Sequence, residues 1–94
     1  MVVILATFDL SLPAAHSLKD KRRILKSVIA RVRSKFNVSI AEVEDQDIWQ
    51  RAVLGAVVIS NDAAHAATTM NHLTSFLETA HGELELLKMT QELI

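Results

Sequence analysis

Hydrophobic and polar residues alternate along four segments of the chain, and this two-residue period predicts β-strands. The first strand is expected over Val2–Leu12, where Pro13 closes it, and the second over Val38–Val43. The third is expected over Arg51–Ser60 and the last, with a less regular alternation, over Leu84–Leu93. In the third segment both alternating sets are apolar or small, which is typical of a strand that is covered on both sides.

Between the first two strands, apolar residues recur every three or four positions and predict a helix. Ser17 is a favourable N-cap, Asp20 stands three residues later as in a capping box, and Asn37 is expected to end the helix. The spacing predicts a core-facing stripe made of Leu18, Leu25, Val28, Ile29, Val32 and Phe36.

A second helix is predicted after the third strand, with Asn61 or Asp62 as its N-cap. This helix is expected to end at Gly82, with His81 at its C-terminal end, where the helix dipole is negative. Its inner stripe is expected to be Ala66, Met70, Leu73, Leu77 and Ala80. The order β-α-β-β-α-β predicts one α+β domain over residues 1–94 with a ferredoxin-like fold, in which both helices cover one face of a four-stranded antiparallel sheet.

Two helices on one face leave the other face of the sheet uncovered. An apolar open face of this size is unusual on a soluble monomer, so we expect a homodimer; the alternative is that the C-terminal segment folds across the face. The expected interface residues are Val3, Leu5, Trp49, Val53, Val57 and Ile59. For Trp49, a core or interface position is favoured over a stacking platform for a base.

Positive charge is concentrated in the first predicted helix. Ser17–Lys35 holds eight of the ten Lys and Arg and one acid, Asp20, so its formal charge is +7, whereas the whole chain carries −1. Four of the basic residues share one arc of the helix, with no Glu at four-residue spacing to compensate them. Lys21 and Arg22 at the helix start complete the candidate anion-binding set: Lys19, Lys21, Arg22, Arg23, Lys26 and Arg33. A solvated helix face is the alternative.

Patterns that carry chemistry are sparse. The chain has no cysteine, and His65 and His72 share a helix face without an obvious third metal ligand. The acidic run Glu42–Asp47 lacks the Gly and the final Glu of an EF-hand loop, so it is expected to be a solvated turn in which Asp45 or Asp47 faces Arg51. We therefore expect a non-enzymatic binding module without metal or cofactor. With no charged leader and no membrane-length apolar run, we expect it in the cytoplasm.

Two segments closely resemble the YlxP-like family of small bacterial proteins, a domain of unknown function. They are SLKDKRRILKSVIARVRSKFNVSIAEVEDQDIWQRAVLG and VISND. The resemblance implies a dimeric ferredoxin-like fold and supplies no catalytic residues. Genes of the family lie near those for translation initiation factor 2 and ribosome-binding factor A in many bacteria, which implies a role in translation or ribosome biogenesis. We therefore expect RNA or the ribosome as partner, and an acidic protein surface as the alternative.

Overall fold

A computed structural model describes residues 1–80 and 83–94 and has the element order β-α-β-β-α-β. Its four strands form one antiparallel sheet in the order β2-β3-β1-β4. This arrangement confirms the ferredoxin-like α+β fold. The elements are β1 (Val2–Ser11), α1 (Leu18–Lys35), β2 (Ser39–Glu44), β3 (Arg51–Ser60), α2 (Ala63–Glu78) and β4 (Glu85–Leu93).

Strands β1 and β3 form the centre of the sheet and pair along their whole length, from Val2 opposite Ser60 to Ser11 opposite Arg51. Successive side chains of a strand point to opposite faces, so this register assigns each residue to a face. The residues that are buried against the helices are Ile4, Ala6, Phe8 and Leu10 from β1, and Ala52, Leu54, Ala56 and Val58 from β3.

Both helices begin at residues whose side chains accept backbone hydrogen bonds. The hydroxyl of Ser17 accepts from the backbone N–H of Asp20 at 3.0 Å, which confirms the predicted N-cap. Asp62, rather than Asn61, caps α2 and accepts from the N–H of Ala64 at 2.9 Å. Helix α1 ends at Lys35 with Phe36 as C-cap, one residue before the predicted Asn37. The predicted stop of α2 at His81 and Gly82 lies outside the described residues.

The buried side of α1 differs from the predicted stripe by a small rotation. Its buried residues are Lys21, Ile24, Leu25, Val28 and Val32, whereas Leu18 and Ile29 are only partly buried. On α2 the predicted inner residues Ala66, Met70, Leu73 and Leu77 are buried, whereas Ala80 lies beyond the end of the helix and is partly buried. Within the described ranges, neither helix has the length and hydropathy needed to cross a membrane.

The contact between the two helices includes an aromatic pair near the end of α1. The rings of Phe36 and Phe76 meet edge to face, with their centroids 5.9 Å apart. Arg31 and Lys35 lie over the Phe76 ring, at 5.9 Å and 5.2 Å from its centroid. These two basic residues therefore face Phe76 of α2 and lie apart from the row of Lys19 and Lys26.

Candidate anion-binding surface

Three basic side chains of α1 point away from the core and into solvent. Lys19, Arg22 and Lys26 are all exposed. At 100° per residue Lys19 and Lys26 lie on the side of the helix opposite Val28, whereas Arg22 lies at the border of the core-facing side. Within residues 1–80 and 83–94, none of the three forms an ion pair with a carboxylate. Their ammonium and guanidinium groups can therefore receive an external anion without first breaking an internal ion pair.

Arg23 and Arg33 extend this surface, and each already makes one contact. Nη1 of Arg23 donates to Oε2 of Glu83 at 3.1 Å, and the two side chains are 64% and 51% exposed. Exposed pairs of this kind contribute about 0–1 kcal/mol to stability, so a phosphate can displace Glu83 at little cost. Nη2 of Arg33 donates to the backbone oxygen of Ile40 at 3.0 Å, which leaves its other guanidinium N–H groups for a ligand.

Lys21 does not belong to the surface, and its prediction as an anion contact is wrong. The residue is 1% exposed, and its ammonium group lies 2.8 Å from the carboxylate of Glu42. The same group donates to the backbone oxygens of Asp45 and, at 2.8 Å, of Ile48. These three contacts use the whole donor capacity of a lysine. A signal was present in the sequence, because Lys21 stands four residues before Leu25 and seven before Val28 and so shares their stripe.

The acidic turn between β2 and β3 is held against the rest of the protein. Lys21 binds two of its backbone oxygens, and Nε2 of Gln50 donates to the backbone oxygens of Pro13 and Ala15 at 3.3 Å and 3.2 Å. Asp45 has φ 62°, a left-handed conformation that aspartate tolerates better than most residues. The turn is thus anchored to the start of α1 and to the loop before it. In the described part of the chain, no ion pair joins Arg51 to Asp45 or Asp47.

Trp49 lies on this anchored turn, with its side chain half in solvent. It is 51% exposed, its neighbour Ile48 is 50% exposed, and both line a shallow depression together with Asp47 and Gln50. A core position for Trp49 is therefore excluded. Its assignment to a dimer interface stays a prediction.

The face of the sheet away from the helices carries the other predicted interface residues. Val3 pairs with Ile59 and Leu5 with Val57, and Ile59 is 59% exposed. Val53 lies on the same face but is only 8% exposed. Towards β4 the face becomes polar, and the hydroxyls of Thr7 and Thr90 form a hydrogen bond there. The register places these residues where the alternation predicted, and their role in a dimer stays a prediction.

The histidines of the described chain lie apart on the surface. His16 precedes α1, and His65 and His72 are exposed on α2. In the parts of the chain that the structure describes, no three His, Asp or Glu side chains come together in a way that could hold a metal ion.

These features define a small ferredoxin-like domain with a basic outer helix. The chain belongs to the family described as protein of unknown function (DUF503), which matches residues 3–91. It is also 38% identical over 65 residues to the uncharacterised protein YlxP of Bacillus subtilis strain 168. The aligned segment covers 69% of this chain and 71% of that protein. These matches confirm the resemblance to the YlxP-like family.

Proposed function

We propose that the chain is a non-enzymatic, cytoplasmic module that binds RNA or the ribosome in translation or ribosome biogenesis, and that it acts as a homodimer. The outer surface of α1 binds the phosphates. The observation that carries the proposal is the set of exposed cations Lys19, Arg22 and Lys26, for which the described residues provide no ion-pair partner. Such a set repels itself, and phosphates relieve that repulsion.

The basic residues are spaced along α1 in a way that suits a chain of phosphates. Lys19, Lys26 and Arg33 follow one another at seven-residue steps, which is about 10 Å per step at a rise of 1.5 Å per residue. The row is therefore about 21 Å long, and a nucleic-acid backbone can follow it. Contacts to phosphates position a nucleic acid without reading its sequence, so we expect binding to tolerate many sequences.

The surroundings of the row favour RNA over an acidic protein surface. Ser27, Ala30 and Ser34 are the exposed residues between the basic side chains. Protein–protein interfaces have an apolar, often aromatic centre, and this side of α1 offers only the methyl group of Ala30. The outer face of the sheet is a less suitable RNA site, because its central strands carry Val, Leu and Ile there, where RNA-recognition sheets carry stacking aromatics.

The proposal is tested by two double variants that remove the same charge from α1. Lys19→Gln/Lys26→Gln changes the outer surface, and Arg31→Gln/Lys35→Gln changes the side that faces Phe76. We expect the first pair to weaken binding to a fluorescein-labelled single-stranded RNA by about tenfold or more at low salt, with the second pair close to wild type. Fluorescence anisotropy measures both affinities.

Salt dependence gives a second readout of the same titration. With three or four phosphate contacts, log K should fall with log salt with a slope of about −2 to −3 for single-stranded RNA. The slope of Lys19→Gln/Lys26→Gln should be shallower by about 1.4, because two contacts are removed. Equal weakening by both double variants, or no binding by the wild type, contradicts the proposal. A partner from cell extract that stays bound after nuclease treatment indicates the acidic protein surface instead.

A further inference from the structure

The sheet ends in two open edges, β2 and β4, and open edges expose backbone N–H and C=O groups that can pair with another strand. The β2 edge is protected in three ways. It has only six residues, its pairing with β3 shifts between Glu42 and Glu44, and the guanidinium of Arg33 covers the backbone oxygen of Ile40. These are the usual devices that keep an edge from pairing.

The β4 edge has one of these devices, a shift in its pairing with β1 at Leu87, and lacks the other two. It has nine residues without proline, and its pairing with β1 is regular from Lys88 to Leu93. No side-chain hydrogen bond from the described residues ends on its backbone. Leu87 and Leu93 on this strand are 43% and 72% exposed. A long edge with exposed apolar side chains favours pairing with a further strand.

The hydrogen bonds to β1 determine which backbone groups of β4 face outward. The N–H of Ile94 donates to the backbone oxygen of Val3 at 2.9 Å, so residue 94 directs its backbone groups inward. In an antiparallel pair this direction alternates along the strand. Lys88, Thr90 and Glu92 therefore also face β1. The residues that direct their N–H and C=O groups to the open edge are Met89, Gln91 and Leu93.

This alternation restricts how β4 can pair with a second copy of itself. In the register centred on Thr90, Met89 lies opposite the partner's Gln91, and both direct their backbone groups into the new contact. Lys88 then lies opposite the partner's Glu92, and the two-fold axis repeats this pair. Registers centred on Met89 or Gln91 pair no opposite charges, and those centred on Lys88 or Glu92 place like charges opposite each other. Opposite charges across strands stabilise a pair, and like charges destabilise it.

We propose that two copies of the chain pair through β4 in the antiparallel register centred on Thr90, so that their sheets join into one of eight strands. This inference rests on the homodimer of the proposed function and assigns its contact to the sheet edge, in place of the outer sheet face. The basic side of α1 remains free for RNA in each copy.

A charge exchange tests the register. Lys88→Glu and Glu92→Lys each create two like-charged pairs and should weaken association by about tenfold or more. The double variant Lys88→Glu/Glu92→Lys restores opposite charges and should recover most of the wild-type affinity. Val57→Asp, on the outer face, should leave the dimer unchanged. Analytical ultracentrifugation gives the association constants, and circular dichroism confirms that each variant is folded.

Cross-linking gives a second test, because the chain has no cysteine of its own. In the proposed register the Cα atoms of Thr90 and the partner's Thr90 are about 4.5 Å apart, as in other non-hydrogen-bonded pairs, and a disulfide spans this distance. Oxidised Thr90→Cys should form a covalent dimer. Thr7→Cys, one strand further in, should not, because its two copies lie about 14 Å apart at about 4.8 Å per strand.

The outcomes separate the alternatives. A monomeric wild type at tens of micromolar concentration overturns the inference. A dimer that Val57→Asp dissociates, and that the Lys88 and Glu92 variants leave intact, also overturns it, because the contact then lies on the outer face. None of these measurements uses RNA, so a failure of the edge contact and a failure of RNA binding are observed independently.

Discussion

At the scale of single residues, the buried ammonium group of Lys21 joins α1 to the turn between β2 and β3. Removing a charge from water costs several kcal/mol, and here that cost is offset by the carboxylate of Glu42 and two backbone oxygens. Because those oxygens belong to the turn between β2 and β3, the position of that turn depends on Lys21. The orientation of Ile48 and Trp49 on the turn follows from the same contacts.

Lys21→Met keeps the shape of the side chain but leaves Glu42 without its cation. We expect a loss of about 3 kcal/mol in the free energy of unfolding, measured by urea denaturation. Lys21→Met/Glu42→Leu should recover part of it, because replacing both charged partners of a buried pair is often nearly neutral, whereas the backbone oxygens of Asp45 and Ile48 still lack their donor. Lys26→Met, at an exposed position, should change stability by less than about 0.5 kcal/mol. Equal effects of the two single variants would contradict this role of Lys21.

At the scale of elements, α1 begins where side chains satisfy its first backbone donors. Ser17 accepts from the N–H of Asp20, and the carboxylate of Asp20 accepts from the N–H of His16 at 3.2 Å. Both bonds are local, and the carboxylate also interacts favourably with the positive end of the helix. The cap fixes where the first turn starts and therefore which side of α1 presents Lys19 and Lys26.

Ser17→Ala removes the capping oxygen and should cost about 1 kcal/mol, which lowers the melting temperature by about 4–8 °C in a domain of this size. Ser27→Ala is the matched control, since Ser27 is exposed in the middle of α1 and alanine is the better helix former. It should leave the melting temperature unchanged or slightly higher. Thermal unfolding monitored by circular dichroism measures both melting temperatures. Similar losses in the two variants would contradict a stabilising role of the cap.

The elements themselves follow from local patterns, and so they could be predicted from the sequence. The alternation of β3 and the cap at Ser17 depend on near neighbours, and the structure confirms both. The contacts that define the basic surface join distant segments. Arg23 meets Glu83, sixty positions later, and Lys21 meets the turn that follows β2. The spacing within α1 places Lys21 on the stripe of Leu25 and Val28, but it does not identify these distant partners, and without partners a buried lysine is not expected.

At the scale of the whole molecule, the proposed function depends on the separation of charge. Ser17–Lys35 carries a formal charge of +7 against −1 for the chain, so the other residues together carry −8. A distribution of this kind orients an approaching polyanion towards α1 and away from the acidic parts. The effect weakens as salt rises, because screening shortens the range of the field to about 10 Å at 0.1 M.

Gradient sedimentation of the protein with ribosomal subunits at low and high salt tests the central claim most directly. We expect the wild type to migrate with a subunit or its precursor at low salt and to be released at high salt. Lys19→Gln/Lys26→Gln should stay at the top of the gradient at both salt concentrations, and Arg31→Gln/Lys35→Gln should behave as the wild type. A wild type that migrates with no subunit and no precursor particle at low salt would contradict the account.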